Sequence, residues 1–208
     1  MSEKALKARR LGRIDYGAAL NLQKKTEQAV IAGTASDTLF LLEHPHTFTL
    51  GRSAKMHGVL ATAEVLKKLE AQVYETNRGG KVTYHGIGQL VSYPIINLSP
   101  DREDVHKYVR DVEEVIVRTM RDFDIEAFRL QGLPGVHTRE GKIAAVGIHI
   151  KRWVTTHGFA LNVNTDLSYF NWIIACEGEP VTSMERLLGR EINLAEVENK
   201  IIKKKRRL

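Results

Sequence analysis

The chain has 208 residues, of which 43% are apolar and 27% are charged. This composition is that of an ordinary globular protein, so it excludes a disordered chain, and the length suits one substantial core. No run of apolar residues approaches the roughly 18 that a membrane-spanning helix needs, which excludes an integral membrane protein. We therefore expect a single domain over residues 1–208.

The first ten residues are basic, and no apolar run follows them. A secretory signal needs such a run, so we expect none. Cys176 is the one cysteine of the chain, which rules out an internal disulfide. These features favour a reducing environment, and we expect a cytoplasmic protein.

A formal net charge of +6 predicts attraction to acidic partners. Much of the excess lies at residues 203–207, within a basic C-terminal tail at about 200–208. A solvated tail that aids solubility is the favoured interpretation and a docking patch is the alternative, because charge alone does not choose between them. The sequence lacks a known nucleic-acid motif and lacks basic residues interleaved with aromatic ones, so we expect no nucleic-acid partner.

The first half of the chain alternates between helical and extended patterns. Apolar periodicity predicts a helix over 15–32 and a shorter helix over 59–69. Apolar runs predict strands over 38–42, 73–76 and 89–96, the first of them ending at His44 and Pro45. The stretch between the second and third strands is rich in glycine and predicts a loop.

The strongest helical pattern covers 104–123, where apolar residues recur at spacings of three and four. A strand is predicted over 126–130, and a hairpin of two strands over 142–150 and 155–163. A final helix begins near Asn193, which forms a capping-box pattern with Glu196. Because helices and strands alternate without an internal repeat, we predict one α+β or mixed α/β domain.

Residues 78–89 form the first candidate functional segment. It carries four glycines, which let the backbone approach a ligand closely, and several side-chain donors. It matches neither a P-loop nor a dinucleotide-binding fingerprint, so a nucleotide-phosphate site is not supported. A long hairpin loop with incidental polar residues is the alternative.

Two further segments are unusual for a plain core. Lys142 opens a strand that is otherwise small and apolar over 143–147, as a strand flooring a narrow pocket would be. An exposed charge at a sheet edge is the alternative interpretation of Lys142. Gly158 interrupts the strand over 155–162, which indicates a bulge or the close approach of another group. His157 lies beside it, and such a histidine taken alone is more often a hydrogen-bonded structural residue than a catalyst.

Cys176 lies where an apolar run gives way to a loop containing glycine and proline. A lone cysteine is most often a small buried apolar residue, but at a pocket mouth it can act as a nucleophile. The reactive form is the thiolate, which needs a nearby positive charge such as Lys142 or a base. His44 and His46 lack further ligands at a familiar spacing, so we interpret them as part of a turn and expect no metal site. A serine hydrolase motif is absent.

These segments together resemble the octanoyl (lipoyl) transferases of lipoate biosynthesis. The resemblance rests on residues 78–86, 88–94, 141–147, 152–164 and 166–170, and on Cys176 with residues 181–183. The order and spacing of the segments also agree, and the resemblance extends from about Leu11 to Ser183. One departure is Ile87, where the family usually has a proline that would fix a backbone angle and remove a donor.

The resemblance implies an α+β fold like the catalytic domain of biotin and lipoate protein ligases, a mixed β-sheet flanked by helices. It implies an acyltransferase that forms an acyl-thioester on Cys176, with Lys142 activating the thiol. The implied donor is octanoyl carried on acyl carrier protein. The implied acceptors are lysines of the lipoyl domains of 2-oxoacid dehydrogenases and of the glycine cleavage H protein. We expect no cofactor and no membrane partner.

The resemblance also implies a substrate pocket built from three segments. Its residues are Arg78, Gly79, Gly80, Lys81, Val82, Thr83, Tyr84, His85, Ala145, Val146, Gly147, Gly158, Phe159 and Ala160. The nearest alternative is an ATP-dependent lipoate-protein ligase of the same fold, in which Cys176 would have no catalytic role. An amidotransferase that moves octanoyl between two proteins is a second relative, and it also uses a cysteine.

Overall fold

The computed structural model describes residues 6–54, 58–174, 179–205 and 208. The strands are β1 Lys7–Arg13, β2 Thr38–Glu43, β3 Thr47–Leu50, β4 Gln72–Glu75, β5 Val82–His85, β6 Gln89–Ile95, β7 Phe128–Leu130, β8 Leu133–Thr138, β9 Gly141–Lys151 and β10 Val154–Asn162. The helices are α1 Tyr16–Ile31, α2 Ala63–Lys68, α3 Val105–Arg121, α4 Met184–Leu188 and α5 Leu194–Lys204, with a 3-10 helix at Leu167–Trp172.

The main sheet has seven strands in the order β1-β2-β6-β10-β9-β8-β7. β1 runs parallel to β2, and every other neighbouring pair is antiparallel. A second sheet has the order β4-β3-β5, with β4 parallel and β5 antiparallel to β3. The fold is therefore α+β with a mixed sheet flanked by helices, as predicted.

Side-chain alternation along β2 explains how helices cover both faces of the main sheet. Leu39 and Leu41 point into a core that also contains α3 and α5. Phe40 and Leu42 point into a second core formed with α1. Successive side chains of a strand face opposite ways, so a strand buried on both faces needs a continuous apolar run. The run at 38–42 has that property.

The apolar face of α3 packs against the sheet, as the sequence predicts. The Asp104 carboxylate accepts a hydrogen bond from the Lys107 backbone N–H at 2.9 Å and caps the helix. Val112, Val115 and Ile116 are fully buried against the sheet. The start of α3 extends beyond this core, and the residues there help to form the cavity described below.

The structure differs from the sequence-based prediction at several short elements. The predicted loop at 78–89 contains β5, whose Tyr84 pairs with Phe48 of β3. Strands β1, β3 and β8 and helix α4 were not predicted. Each is short or carries polar residues, so it depends on pairing with distant segments more than on its own pattern.

The basic C-terminal segment is packed in its described part. Helix α5 continues to Lys204, whose ammonium pairs with the Asp122 carboxylate at the end of α3. Leu208 is buried in the same core. Residues 200–204 are therefore helical. Among the described residues, no helix is both long and apolar enough to cross a membrane.

Replacing Ile116 with alanine should lower the free energy of unfolding by about 3 kcal/mol, because it leaves a cavity where α3 meets the sheet. Val105→Ala is the matched control, because Val105 lies in the same helix but is 41% exposed. Urea-induced unfolding measures both variants. Equal losses in the two variants would contradict the packing described for α3.

Candidate active site

A cavity of about 860 Å³ lies over β9 and β10, bounded by the segment before β5, the start of α3 and the turn from β7 to β8. Lys142 lines this cavity. All the predicted substrate-binding residues except Tyr84 also line it. They are Arg78, Gly79, Gly80, Lys81, Val82, Thr83, His85, Ala145, Val146, Gly147, Gly158, Phe159 and Ala160. The structure thus brings three segments that are distant in sequence onto one cavity.

The three segments meet because small residues allow backbone to approach backbone. The Gly79 N–H donates to the Ile148 carbonyl at 2.9 Å. A Cβ at Gly147 would lie 3.0 Å from the Gly79 carbonyl oxygen. Gly147 pairs with Gly158 of β10, where a Cβ would lie 2.2 Å from the Ser92 carbonyl oxygen. Larger side chains at these positions would push the cavity wall apart.

Arg78 fixes the glycine loop from inside the protein. Its guanidinium donates to the Thr49 carbonyl oxygen at 2.6 Å and to the Thr49 hydroxyl at 2.9 Å. A third bond reaches the Gly79 carbonyl oxygen at 3.0 Å. The planar fork of donors suits this role, because it binds several fixed acceptors at once. Arg78 therefore ties the loop to β3 and sets the shape of one cavity wall.

Tyr84 is the predicted pocket residue that does not line the cavity. It is fully buried behind the wall. Its hydroxyl is hydrogen-bonded to His46 Nδ1 at 2.8 Å, and its ring stacks on Tyr169 with a centroid separation of 4.8 Å. Alternation along β5 explains this placement, because Thr83 and His85 face the cavity and Tyr84 faces the opposite way.

Lys142 is joined through its backbone to the segment that follows Cys176 in the sequence. The Lys142 N–H donates to the Pro180 carbonyl at 2.8 Å, and the Thr182 N–H donates to the Lys142 carbonyl at 3.0 Å. The Lys142 ammonium lies 3.8 Å from the Glu179 carboxylate. Cys176 itself lies outside the described residues.

A buried amide pair holds the same segment against the sheet. The Asn162 side-chain amide donates to the Thr182 carbonyl at 3.0 Å, and its oxygen accepts from Gln89 at 2.9 Å. Gln89 also bonds His85 Nδ1 at 2.9 Å. Gln89 and Asn162 line the cavity. Gln89 belongs to the donor-bearing segment 78–89 but was not assigned to the pocket, and Asn162 was not predicted as a site residue. Their positions at the ends of predicted strands were the available signal.

His157 lines the cavity and has a left-handed backbone, at φ 58°. This conformation is unusual for a residue other than glycine and is often found at functional sites. The His157 N–H donates to the Gln23 side chain at 2.8 Å, and Nε2 contacts the Asn77 oxygen at 2.8 Å. Because that oxygen only accepts, Nε2 carries the proton. Sequence reasoning noted His157 but did not assign it to the site.

The two histidines of the predicted turn are held by hydrogen bonds. His44 Nδ1 donates to the Ile14 carbonyl at 2.8 Å, and Nε2 bonds the Tyr93 hydroxyl at 2.8 Å. His46 bonds Tyr84 as described above. Across residues 6–54, 58–174, 179–205 and 208, no group of three or more histidine, cysteine, aspartate or glutamate side chains is placed to hold a metal ion.

Buried histidines give the fold a pH dependence with a definite sign. Burial lowers the pKa of His44 to about 4 and the pKa of His157 to about 3. The unfolded chain takes up protons below about pH 6.5 that the folded chain does not, so stability falls as pH decreases from there. Each of these histidines should remove about 1.4 kcal/mol per pH unit below 6.5, down to its folded pKa.

Urea-induced unfolding at pH 7.5, 6.5 and 5.5 tests this expectation. His157→Gln should show a shallower fall in unfolding free energy with decreasing pH than the wild type, whatever its stability at pH 7.5. His106→Gln is the control, because His106 is exposed at the start of α3. An unchanged slope in His157→Gln would show that its buried imidazole does not resist protonation.

The match to the family model for the lipoyl protein ligase A/B catalytic domain covers residues 15–205. An octanoyltransferase of Solibacter usitatus is 52% identical over 190 residues, which are 91% of this chain and 86% of that protein. A structure of lipoate-protein ligase A bound with ATP is similar with a TM-score of 0.75 at 18% identity, over 96% of this chain and 84% of that chain.

The biotin protein ligase of Aquifex aeolicus shares the fold with a TM-score of 0.57 at 13% identity, over 96% of this chain and 67% of that chain. These two structural likenesses confirm the predicted fold. The family match and the identity to the Solibacter protein extend over nearly all of the chain. The chain therefore belongs to the octanoyltransferases of the lipoyl protein ligase A/B catalytic-domain family, and it is an acyltransferase.

Proposed function

We propose that the chain transfers octanoyl from acyl carrier protein to a lysine of lipoyl domains, through a thioester on Cys176, as a step of lipoate biosynthesis. The observation that carries this proposal is the position of Lys142. Its ammonium faces a cavity with apolar walls, and its backbone is bonded to the segment that follows the chain's one cysteine.

The first chemical step exchanges one thioester for another. The Cys176 thiolate attacks the octanoyl carbonyl and displaces the thiolate of the carrier's phosphopantetheine arm, which takes a proton from the Lys142 ammonium and leaves as a thiol. The two thioesters have similar energies, so the step needs no nucleotide. A positive charge beside the sulfur favours the thiolate, which is the nucleophilic form. Lys142 is the cation that the proposal assigns to this role.

The second step forms the product. The amine of the acceptor lysine attacks the thioester on Cys176, and the cysteine leaves as a thiolate. The amide product is more stable than the thioester, which drives the reaction forward. The acceptor amine must lose a proton, and the proposed base is Lys142, which the first step leaves as a neutral amine. Backbone N–H groups near Gly147 or in the cysteine loop are the proposed donors to the negative oxygen of the intermediate.

Apolar side chains of the cavity suit an acyl chain. Val82, Ala145, Val146 and Phe159 line the walls near the two glycine contacts. Each methylene transferred from water to such a surface contributes about 0.8 kcal/mol to binding. The octanoyl chain would therefore bind through its length, and the cavity would discriminate against shorter acyl groups.

The charge of the chain fits the proposed donor. A net charge of +6 attracts an acidic carrier protein and speeds encounter in a salt-dependent way. The proposed acceptors are the lipoyl domains of 2-oxoacid dehydrogenases and the glycine cleavage H protein. The proposal keeps the expectation of a single catalytic domain in the cytoplasm, without a cofactor and without a nucleic-acid partner.

Intact-protein mass spectrometry tests the reaction directly. The enzyme is mixed with octanoyl acyl carrier protein in the absence of ATP, and one octanoyl adduct is expected. The adduct should be missing in Cys176→Ala and should be discharged by added lipoyl domain. If transfer occurs only with ATP and free acid, the protein is a ligase and Cys176 is not its nucleophile.

The activating role of Lys142 has a separate test. Iodoacetamide labels thiolates, and the chain has one cysteine, so the labelling rate at pH 7 reports on Cys176 alone. Lys142→Ala should lower this rate about tenfold, because the sulfur loses its cationic partner. Lys151→Ala, at the far end of the same strand, serves as the control. An unchanged rate in Lys142→Ala would remove the activating role.

A further inference from the structure

The environment of Lys142 poses a physical problem, since its side chain is only 14% exposed. An ammonium withdrawn from water needs a partner, and a lysine side chain has a flexible four-carbon stem. Within the described residues, one ion pair is found for this ammonium, and its partner is Glu179. Glu179 lines the cavity beside it.

The Glu179 carboxylate is itself held from a second side. His137 Nε2 lies 3.4 Å from the same oxygen, Oε2, that faces Lys142 at 3.8 Å. His137 of β8 stands directly opposite Lys142 of β9 in the strand register, so the two side chains lie next to each other. Side chains from β8 and β9 therefore converge on one carboxylate oxygen of a third segment.

The protonation of His137 fits this arrangement. Burial, followed by the charge of Lys142, lowers the pKa of His137, which keeps the ring neutral at pH 7. A carboxylate only accepts hydrogen bonds, so Nε2 carries the ring proton and donates a hydrogen bond to Glu179. The other ring nitrogen, Nδ1, is buried without a hydrogen-bond partner among the described residues.

Gly135 of β8 provides the space in which the lysine stem lies. A Cβ at Gly135 would stand 2.5 Å from Lys142 Cε and 3.3 Å from Nζ. The Gly135 N–H donates to the buried Glu113 carboxylate of α3 at 2.9 Å, which fixes the glycine in place. The stem is thus confined on one side by backbone and its charge is held on the other by a carboxylate.

We propose that Glu179 is the positioning residue of Lys142, and that its carboxylate, held by His137, keeps the ammonium in the slot over Gly135 during acyl transfer. This inference rests on the proposed function, in which Lys142 serves the transfer. Without the carboxylate, the lysine stem would sample other rotamers, and less of the enzyme would have its ammonium in place. Removing the carboxylate would therefore lower the rate of the chemical step and leave substrate binding unchanged.

The experiment compares Glu179→Gln, Lys142→Ala and the double variant in single-turnover acylation, followed by intact-protein mass spectrometry. Glu179→Gln should slow formation of the octanoyl adduct about tenfold, while the carrier concentration giving half-maximal rate stays the same. Lys142→Ala should slow it about 100-fold. The double variant should match Lys142→Ala within about twofold, because a residue that acts through Lys142 has no effect once Lys142 is gone.

Two further variants separate positioning from a general effect on the fold. Glu140→Gln is the matched control, because Glu140 is 55% exposed, lies two residues before Lys142 and pairs with Arg186 at 4.0 Å. It should leave the rate unchanged. Glu179→Asp keeps the charge on a shorter stem and should restore part of the rate. Melting temperatures of all variants identify any that fail to fold.

The outcomes distinguish this inference from the proposed function. If Lys142→Ala acylates as fast as the wild type, the proposed role of Lys142 fails. If Lys142→Ala is slow but Glu179→Gln acylates normally, or if the two losses multiply in the double variant, Glu179 does not act through Lys142. Should Lys142→Ala form no measurable adduct, the rate order wild type, Glu179→Asp, Glu179→Gln supports positioning, and equal rates across that series overturn it.

Discussion

The contact between the Gly79–Gly80 loop and β9 is the constraint on which the site depends. Backbone meets backbone there, with the Gly79 N–H on the Ile148 carbonyl and no side chain at Gly147 to separate them. The Arg78 guanidinium donates hydrogen bonds to Thr49 and Gly79 inside the protein, so it links the two sheets. The cavity exists because this loop is held over β9 and β10 without filling the space between them.

Electrostatics divide the cavity into two ends. One end, near His85 and His157, carries imidazoles whose pKa values are lowered first by burial and then by neighbouring charges that include Arg78, so these two rings stay uncharged at neutral pH. The other end carries the Lys142 ammonium and the Glu179 carboxylate. The sheet sets this division, because β9 carries Lys142 at its first residues and Gly147 further along.

The sequence predicts well the elements that carry an apolar pattern of their own and misses several that do not, for a physical reason. Helices α1 and α3 and strands β2, β6, β9 and β10 have periodic or continuous apolar patterns of their own. Strands β3 and β5 have four residues each, and they form because they pair with each other. The motif segments at 78–85, 145–147 and 158–160 could be listed from the sequence, and the structure places all of them except Tyr84 on one cavity. The convergence of His137, Glu179 and Lys142 could not be listed, since it depends on the β8–β9 register and on where the chain returns after Thr165.

The two backbone hydrogen bonds between Lys142 and the segment at 180–182 also bear on local unfolding. The Lys142 N–H and the Thr182 N–H are each bonded to a carbonyl of the other segment, so neither N–H can exchange with solvent while the two segments remain together. Opening one segment breaks the bonds of the other, and the start of β9 and residues 180–182 therefore form one cooperative unit. Lys142 and residues 180–182 are consequently assembled or separated together, which ties the position of Lys142 to a single local equilibrium.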